Sequence, residues 1–202
     1  MKDIVIIDYG IGNLRSVYKG LEHTGASVSI TGDPEKILAA DGVILPGVGA
    51  FADAMKNIED LKGVLAECAD SGKPMLGICL GEQILMDRSE EGRPTSGLGL
   101  IHGNVLRFPP SRLKIPHIGW NSIQITQEHP LLVDIPDGSY VYFVHSYYVD
   151  TTQENILAAC EYGVTFAAAV VNGPGNVMGT QFHPEKSGDI GLKILHNFVK
   201  MC

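Results

Sequence analysis

Concentrations of any one residue type are what this sequence lacks. No cluster of lysine and arginine interrupts a formal net charge of −8. The electrostatic footprint of a nucleic-acid binder is therefore missing, and a small molecule or a protein is the expected partner. No apolar stretch approaches the roughly 20 residues of a membrane span. Met1-Lys2-Asp3-Ile4 leads straight into a strand pattern rather than a signal peptide, which makes the cytoplasm the expected compartment. The four cysteines, Cys68, Cys79, Cys160 and Cys202, are scattered without Cys-x-x-Cys spacing, so they read as reduced thiols and no metal site is expected. No repeat, low-complexity tract or linker divides the 202 residues, and with 45% apolar and 19% charged residues they read as a single domain over 1–202.

What is present is organised around Pro74-Met75-Leu76-Gly77-Ile78-Cys79-Leu80-Gly81-Glu82-Gln83. A short apolar run ending in Gly-x-Cys-x-Gly predicts a buried strand that turns sharply into a helix, a nucleophile elbow with cysteine in the serine position. The tightness of such a turn gives Gly77 and Gly81 a steric reason to be glycine. Cys79 is then expected to stand exposed at the strand end. The amides that open the following helix favour a thiolate, and the Leu80 N–H points where an oxyanion would develop. A free cysteine is most often a small buried hydrophobe, so this pattern argues only through its surroundings.

Those surroundings read as alternating strands and helices. Ile4 to Asp8 is a β-branched run, Asn13 is placed to cap a helix from Leu14 towards Thr24, and Gly25 ends it. Gly10-x-Gly12 resembles the start of a dinucleotide-binding turn, but Arg15 occupies the third glycine position, so a plain glycine-rich turn is the preferred reading. Val28 and Ile30 alternate in a second strand, Asp33-Pro34 opens a short helix through Ala39, and Gly42 to Leu45 is a third strand. Pro46-Gly47-Val48-Gly49 then leaves the same sheet edge as Cys79, where its unhindered amides can supply a second oxyanion donor. Leu61 to Ser71 is a helix whose apolar face takes in Cys68.

After about Leu98 the texture changes to short strands: Asn104–Phe108, Ile118–Ile125, Tyr140–Tyr148, Ile156–Glu161, Thr165–Val171 and Val177–Phe182, expected to be largely antiparallel. Asp189 to Val199 closes the chain as an amphipathic helix. The end of the last strand carries Gln181-Phe182-His183-Pro184-Glu185, and period two puts His183 and Glu185 on one face, Pro184 being tolerated as extended chain. A thiol needs a base, and the base needs a group that fixes its tautomer. Cys79, His183 and Glu185 fill those roles in order.

Gly77 to Gln83, Gln181 to Glu185 and Pro46 to Gly49, in this order over the whole chain, resemble the class I (triad) glutamine amidotransferase family. Pro116-His117-Ile118-Gly119-Trp120-Asn121, Tyr142-Phe143-Val144-His145-Ser146-Tyr147 and Lys186 narrow the resemblance to its glutaminase subunits of histidine biosynthesis. The resemblance implies an α/β, flavodoxin-like fold: a central, mostly parallel sheet with helices on both faces, and antiparallel strands from the C-terminal half. It implies hydrolysis of L-glutamine through a Cys79 thioester, with His183 and Glu185 completing the triad and no cofactor or metal. Leu80, Val48 and Gly49 would form the oxyanion hole, and Gly47, Gln83, Glu91, Ser146 and Tyr147 would hold the glutamine. The implied partner is a (β/α)8-barrel cyclase subunit that receives the ammonia, met through Asn13, Trp120 and Lys186. Position 82, commonly methionine in this motif, is Glu82 here, a departure expected to have little effect because Gly81 and Gln83 are kept. Three other readings remain open on the sequence: a stand-alone γ-glutamyl cysteine hydrolase, a paralogous glutaminase subunit serving a different synthase, and a non-catalytic subunit with a vestigial triad.

Overall fold

The computed structural model of the protein describes every residue except Ser111. In its first half it alternates β1 (Asp3–Ile7), α1 (Leu14–Glu22), β2 (Ser27–Thr31), α2 (Pro34–Ala39) and β3 (Gly42–Gly47). There follow α3 (Phe51–Asn57), α4 (Lys62–Asp70), β4 (Met75–Cys79) and α5 (Leu80–Ile84). The strands pair in parallel in the order β2-β1-β3-β4. Parallel strands covered on both faces need apolar residues at every position, and successive residues serve opposite layers. In β1, Ile4 and Ile6 join the core beneath α1, whereas Val5 and Ile7 join the one that holds residues of α2 to α5.

The second half contributes β5 (Arg88–Ser89), β6 (Thr95–Ser96), β7 (Asn104–Arg107), β8 (His117–Ser122), β9 (Gln124–Ile125), β10 (Tyr140–His145), β11 (Tyr147–Asp150), β12 (Ile156–Glu161), β13 (Thr165–Val171) and β14 (Val177–Thr180). It ends in α6 (Gly188–Met201), which packs Ile194, Leu195 and Phe198 into the same core as α1. The central sheet runs β2-β1-β3-β4-β14-β13-β11-β7-β5-β6, so its left half is parallel and most of its right half antiparallel. Strand β14 belongs to both: it is antiparallel to β13 but parallel to β4, with Gly179 beside Gly77 and Thr180 beside Ile78. That pairing brings the residues after β14 to the same edge as Cys79.

Several sequence expectations need correction. Ile118–Ile125 is two strands, broken at the fully buried Ile123. Tyr140–Tyr148 is also two, because β10 pairs with β8 in a separate ribbon while β11 joins the central sheet. Asn13 occupies the N-cap position of α1 but makes no side-chain cap bond, and that helix ends at Glu22. Helix α3 was not anticipated at all. Its N-cap is Ala50, and its first amide is satisfied from afar, by Phe51 N–H donating to Glu91 Oε2 at 2.8 Å.

Candidate active site

Four chain segments converge at the C-terminal ends of β3, β4 and β14. The first is the elbow. Cys79 has φ 56° and ψ −109°, a left-handed conformation that a residue with a side chain adopts only when its surroundings enforce it. The enforcement is visible in the glycines. A Cβ on Gly81 would lie 1.7 Å from Leu45 O, and one on Gly77 would lie 2.5 Å from Gly81 O. Contrary to the expectation of an exposed thiol, Cys79 is only 7% accessible and sits on the floor of a cavity of about 370 Å³.

The second segment is the loop after β3. Gly47 ends the strand beside Cys79, and a Cβ on it would meet Gly81 N at 2.7 Å and Leu80 Cβ at 2.9 Å. Lacking one, the backbone nests against the start of α5, which places Val48 and Gly49 on the cavity wall together with Leu80. Buried Tyr9 holds this loop from behind, its hydroxyl donating to Pro46 O at 2.7 Å.

The third segment follows β14. His183 Nδ1 and Glu185 Oε1 are 2.8 Å apart, and both side chains are buried. The expected pleat does not make this contact. The strand stops at Thr180 and residues 184–186 form one turn of 3-10 helix that swings the carboxylate back under the imidazole. Pro184 explains the turn, since its fixed φ and missing N–H suit the first position of a helix better than a continued ladder. Gly20 of α1 lets that helix approach Glu185 closely from below.

With Glu185 on Nδ1, His183 Nε2 is left facing the cavity with no hydrogen-bond partner. Burial alone would lower the His183 pKa, but Cys79 and Glu185 beside it outweigh burial and push it up to about 9. The imidazole is therefore oriented by Glu185 over a cavity floored by sulfur. Proton-transfer chemistry between a thiol and a buried, carboxylate-oriented imidazole is what this arrangement can do.

The fourth segment is the β10–β11 corner. Ser146 and Tyr147 line the cavity opposite the elbow. Gln83 projects from α5 and donates both to Tyr147 O at 3.1 Å and to Gln181 Oε1 at 2.9 Å, while Gln181 Nε2 lies 3.7 Å from Cys79 Sγ. Glu91 reaches the same wall while bonding the α3 amide. Gln181 and His145 are site residues that the sequence reading noted only as parts of motifs. Gln181 was findable, since it stands in the same short motif two residues before His183. His145 was not, because it depends on the ribbon crossing over the site.

The structure does not bring Asn13, Trp120 and Lys186 into the cavity. Trp120, 55% exposed, sits on β8 against Tyr142 with ring centroids 6.2 Å apart, and Lys186 Nζ lies 6.0 Å from the same tyrosine ring. This patch flanks the His183 turn, and Ile118 beside it is also exposed. Glu82, expected to matter little, is fully buried, and neither carboxylate oxygen has a partner. Burial, with Cys79 nearby as a smaller cause, raises its pKa well above the ordinary carboxylate range. Among the described residues no helix is long and apolar enough to cross a membrane.

Comparisons with known proteins identify the family. A family model described as glutamine amidotransferase class-I matches residues 5–202. Relatives named imidazole glycerol phosphate synthase subunit HisH from Methanosarcina acetivorans and Methanosarcina mazei are 73% and 72% identical over the full length of both chains. One of the same name from Bacillus cereus is 53% identical, covering 96% of this chain and 93% of its own. Among solved structures, PurLQS from Thermotoga maritima superposes with a TM-score of 0.79 at 21% identity, covering 100% of this chain and 99% of that one. A crystal structure described as glutamine amidotransferase gives 0.74 at 16%, covering 97% and 98%. At such identities the superpositions speak for the fold alone.

Proposed function

The chain belongs to the class-I glutamine amidotransferase family, and from that membership we propose that it is the glutaminase subunit of an imidazole glycerol phosphate synthase, releasing ammonia from L-glutamine for a partner subunit in histidine biosynthesis. The observation that carries the chemistry is the meeting of Cys79, the His183–Glu185 pair and Gln83 in one cavity at the ends of adjacent strands. The name shared by full-length relatives supports the choice of synthase and the existence of a partner. The partner is a cyclase of (β/α)8 fold, docked over the exposed Trp120 and Lys186 patch and met also by Asn13.

In the mechanism, Glu91 and the Ser146-Tyr147 backbone hold the head group of glutamine while Gln83 braces that backbone. Cys79 Sγ attacks the side-chain amide carbon, and the oxygen that gains charge is met by the Leu80 amide and by the amides of Val48 and Gly49. His183 gives its Nε2 proton to the departing nitrogen, so ammonia leaves and a glutamyl thioester remains. The imidazole, now neutral and kept in one tautomer by Glu185, takes a proton from water as that water attacks the thioester. Glutamate leaves and the Cys79–His183 pair is restored.

The test is ammonia and glutamate release by the purified chain with and without the cyclase and its ligand. We expect release to rise on adding both, and to vanish in Cys79→Ala and His183→Ala proteins that retain wild-type circular dichroism. Full-rate hydrolysis without a partner would favour a stand-alone γ-glutamyl hydrolase. Undiminished release by Cys79→Ala would refute the mechanism.

A further inference from the structure

Two buried imidazoles outside the triad remain without a role. His145 ends β10 and lines the cavity, and His117 stands directly across from it on β8. Their nitrogens approach to 3.0 Å, His117 Nδ1 to His145 Nε2. His145 Nδ1 lies 2.8 Å from Tyr147 O, and Asn121 Nδ2 lies 3.4 Å from His117 Nε2.

These contacts admit a single assignment of hydrogens. A carbonyl only accepts, so His145 carries a hydrogen on Nδ1 to reach Tyr147 O, and in the neutral ring Nε2 is then bare. A bare His145 Nε2 requires a donor, so His117 carries its hydrogen on Nδ1 as well. His117 Nε2 is then bare and takes the second bond from the Asn121 amide. That amide also donates to Glu161 O at 3.1 Å, and its own oxygen accepts from Ser122 N–H at 2.8 Å. Every group is satisfied only if both rings are neutral. Burial works in that direction, holding His117 down to about 4 and His145 to about 3.

We propose that His117 and His145 are positioning residues, a directed chain of hydrogen bonds that fixes the Tyr147 carbonyl and, through Gln83, the glutamine-holding wall relative to the β8–β10 ribbon. The ring stack keeps the chain in register: His117 lies between Phe143 and Tyr162, with centroids 4.8 Å and 3.9 Å away and interplanar angles of 23° and 20°. Beyond Tyr147 the same carbonyl accepts from Gln83, which bonds Gln181, which touches Cys79. The strand that carries His117 and Asn121 also carries the exposed Ile118 and Trp120 on its other side.

The kinetic consequence rests on the glutaminase reading, whereas the hydrogen assignment does not. NMR of the isotope-labelled histidines in the wild-type chain at neutral pH should find both rings neutral with hydrogen on Nδ1. Hydrogen on Nε2 of either ring overturns the proposal. In the complex with the cyclase, His117→Phe keeps the stack but cannot donate to His145. We expect KM for glutamine to rise about tenfold, the loss of one buried hydrogen bond, with a much smaller change in kcat. His117→Asn, whose amide can donate from the Nδ1 position, should recover most of that loss. An unchanged KM in the phenylalanine variant, or no recovery with asparagine, refutes the positioning role. If wild-type protein releases no ammonia at all, the functional reading fails while the NMR result still decides the hydrogen-bond chain.

Discussion

Replacing Glu82 with methionine should make the protein more stable, and increasingly so as pH rises. Glu82 lies in α5 with its side chain against Gly179, so close that a Cβ there would meet Glu82 Cγ at 2.5 Å, and both oxygens are buried without a partner. An unpartnered buried polar group of this kind costs about 1–3 kcal/mol even when neutral, and methionine offers similar length without it. The pH term has a definite sign. Burial raises the folded-state pKa of Glu82 well above its ordinary value of 4.5, so between those two values the unfolded chain releases a proton that the folded chain keeps. The stability associated with Glu82 is complete below 4.5 and is lost as pH rises towards the folded pKa. Within that window the slope approaches about 1.4 kcal/mol per pH unit. Urea denaturation of wild type and Glu82→Met at pH 5, 6 and 7 reads this directly, because contributions from titrating groups not coupled to Glu82 cancel in the difference. The gap should favour methionine at pH 5 and widen at each step. A constant gap would mean that Glu82 is ionised in the fold, and a less stable methionine variant would mean that the carboxyl has found a partner.

Further outcomes follow from the same contacts. Gly81→Ala should lower stability by at least about 3 kcal/mol, since its Cβ would fall 1.7 Å from Leu45 O; a loss under about 1 kcal/mol in thermal unfolding would show that the elbow is looser than described. Glu185→Ala should drop the NMR titration midpoint of His183 well below 9, because burial then acts with less opposition, and an unchanged midpoint would remove Glu185 from the pair. Because His117 and His145 have folded pKa values depressed to about 4 and about 3, stability should fall as pH drops below the ordinary histidine value of 6.5. His117→Phe should show a shallower decline in acid urea titrations, and parallel curves would argue that the ring is already charged.

How much of this was legible in the sequence depended on how local each cause is. Asp33 caps α2 by accepting from Glu35 N–H at 3.0 Å, within a few residues, and that helix was read with its true bounds. Ile156–Glu161 and Thr165–Val171 were read equally well from alternation and turn residues. Helix α3 escaped because its N-terminal amide is satisfied by Glu91, forty residues away. The β10–β11 break at Ser146 escaped because it is where the chain passes from the ribbon to the central sheet, a choice made by tertiary pairing. At the site, the glycine spacing around Cys79 was a steric signature and was readable, as were the residue types of the His183–Glu185 pair. The 3-10 turn that joins that pair, and the burial that turns Glu82 into an unpaired carboxyl, arise from the parallel pairing of β14 with β4 and lie beyond period counting.

The most direct test of the central claim is the site at which a glutamine-shaped electrophile, reactive at its amide carbon, becomes attached to the chain in complex with its partner. Peptide mass spectrometry should find the label on Cys79 alone, leaving Cys68, Cys160 and Cys202 free, with glutamine protecting against it. Label on another residue, or labelling of Cys79 that glutamine does not slow, would contradict the account.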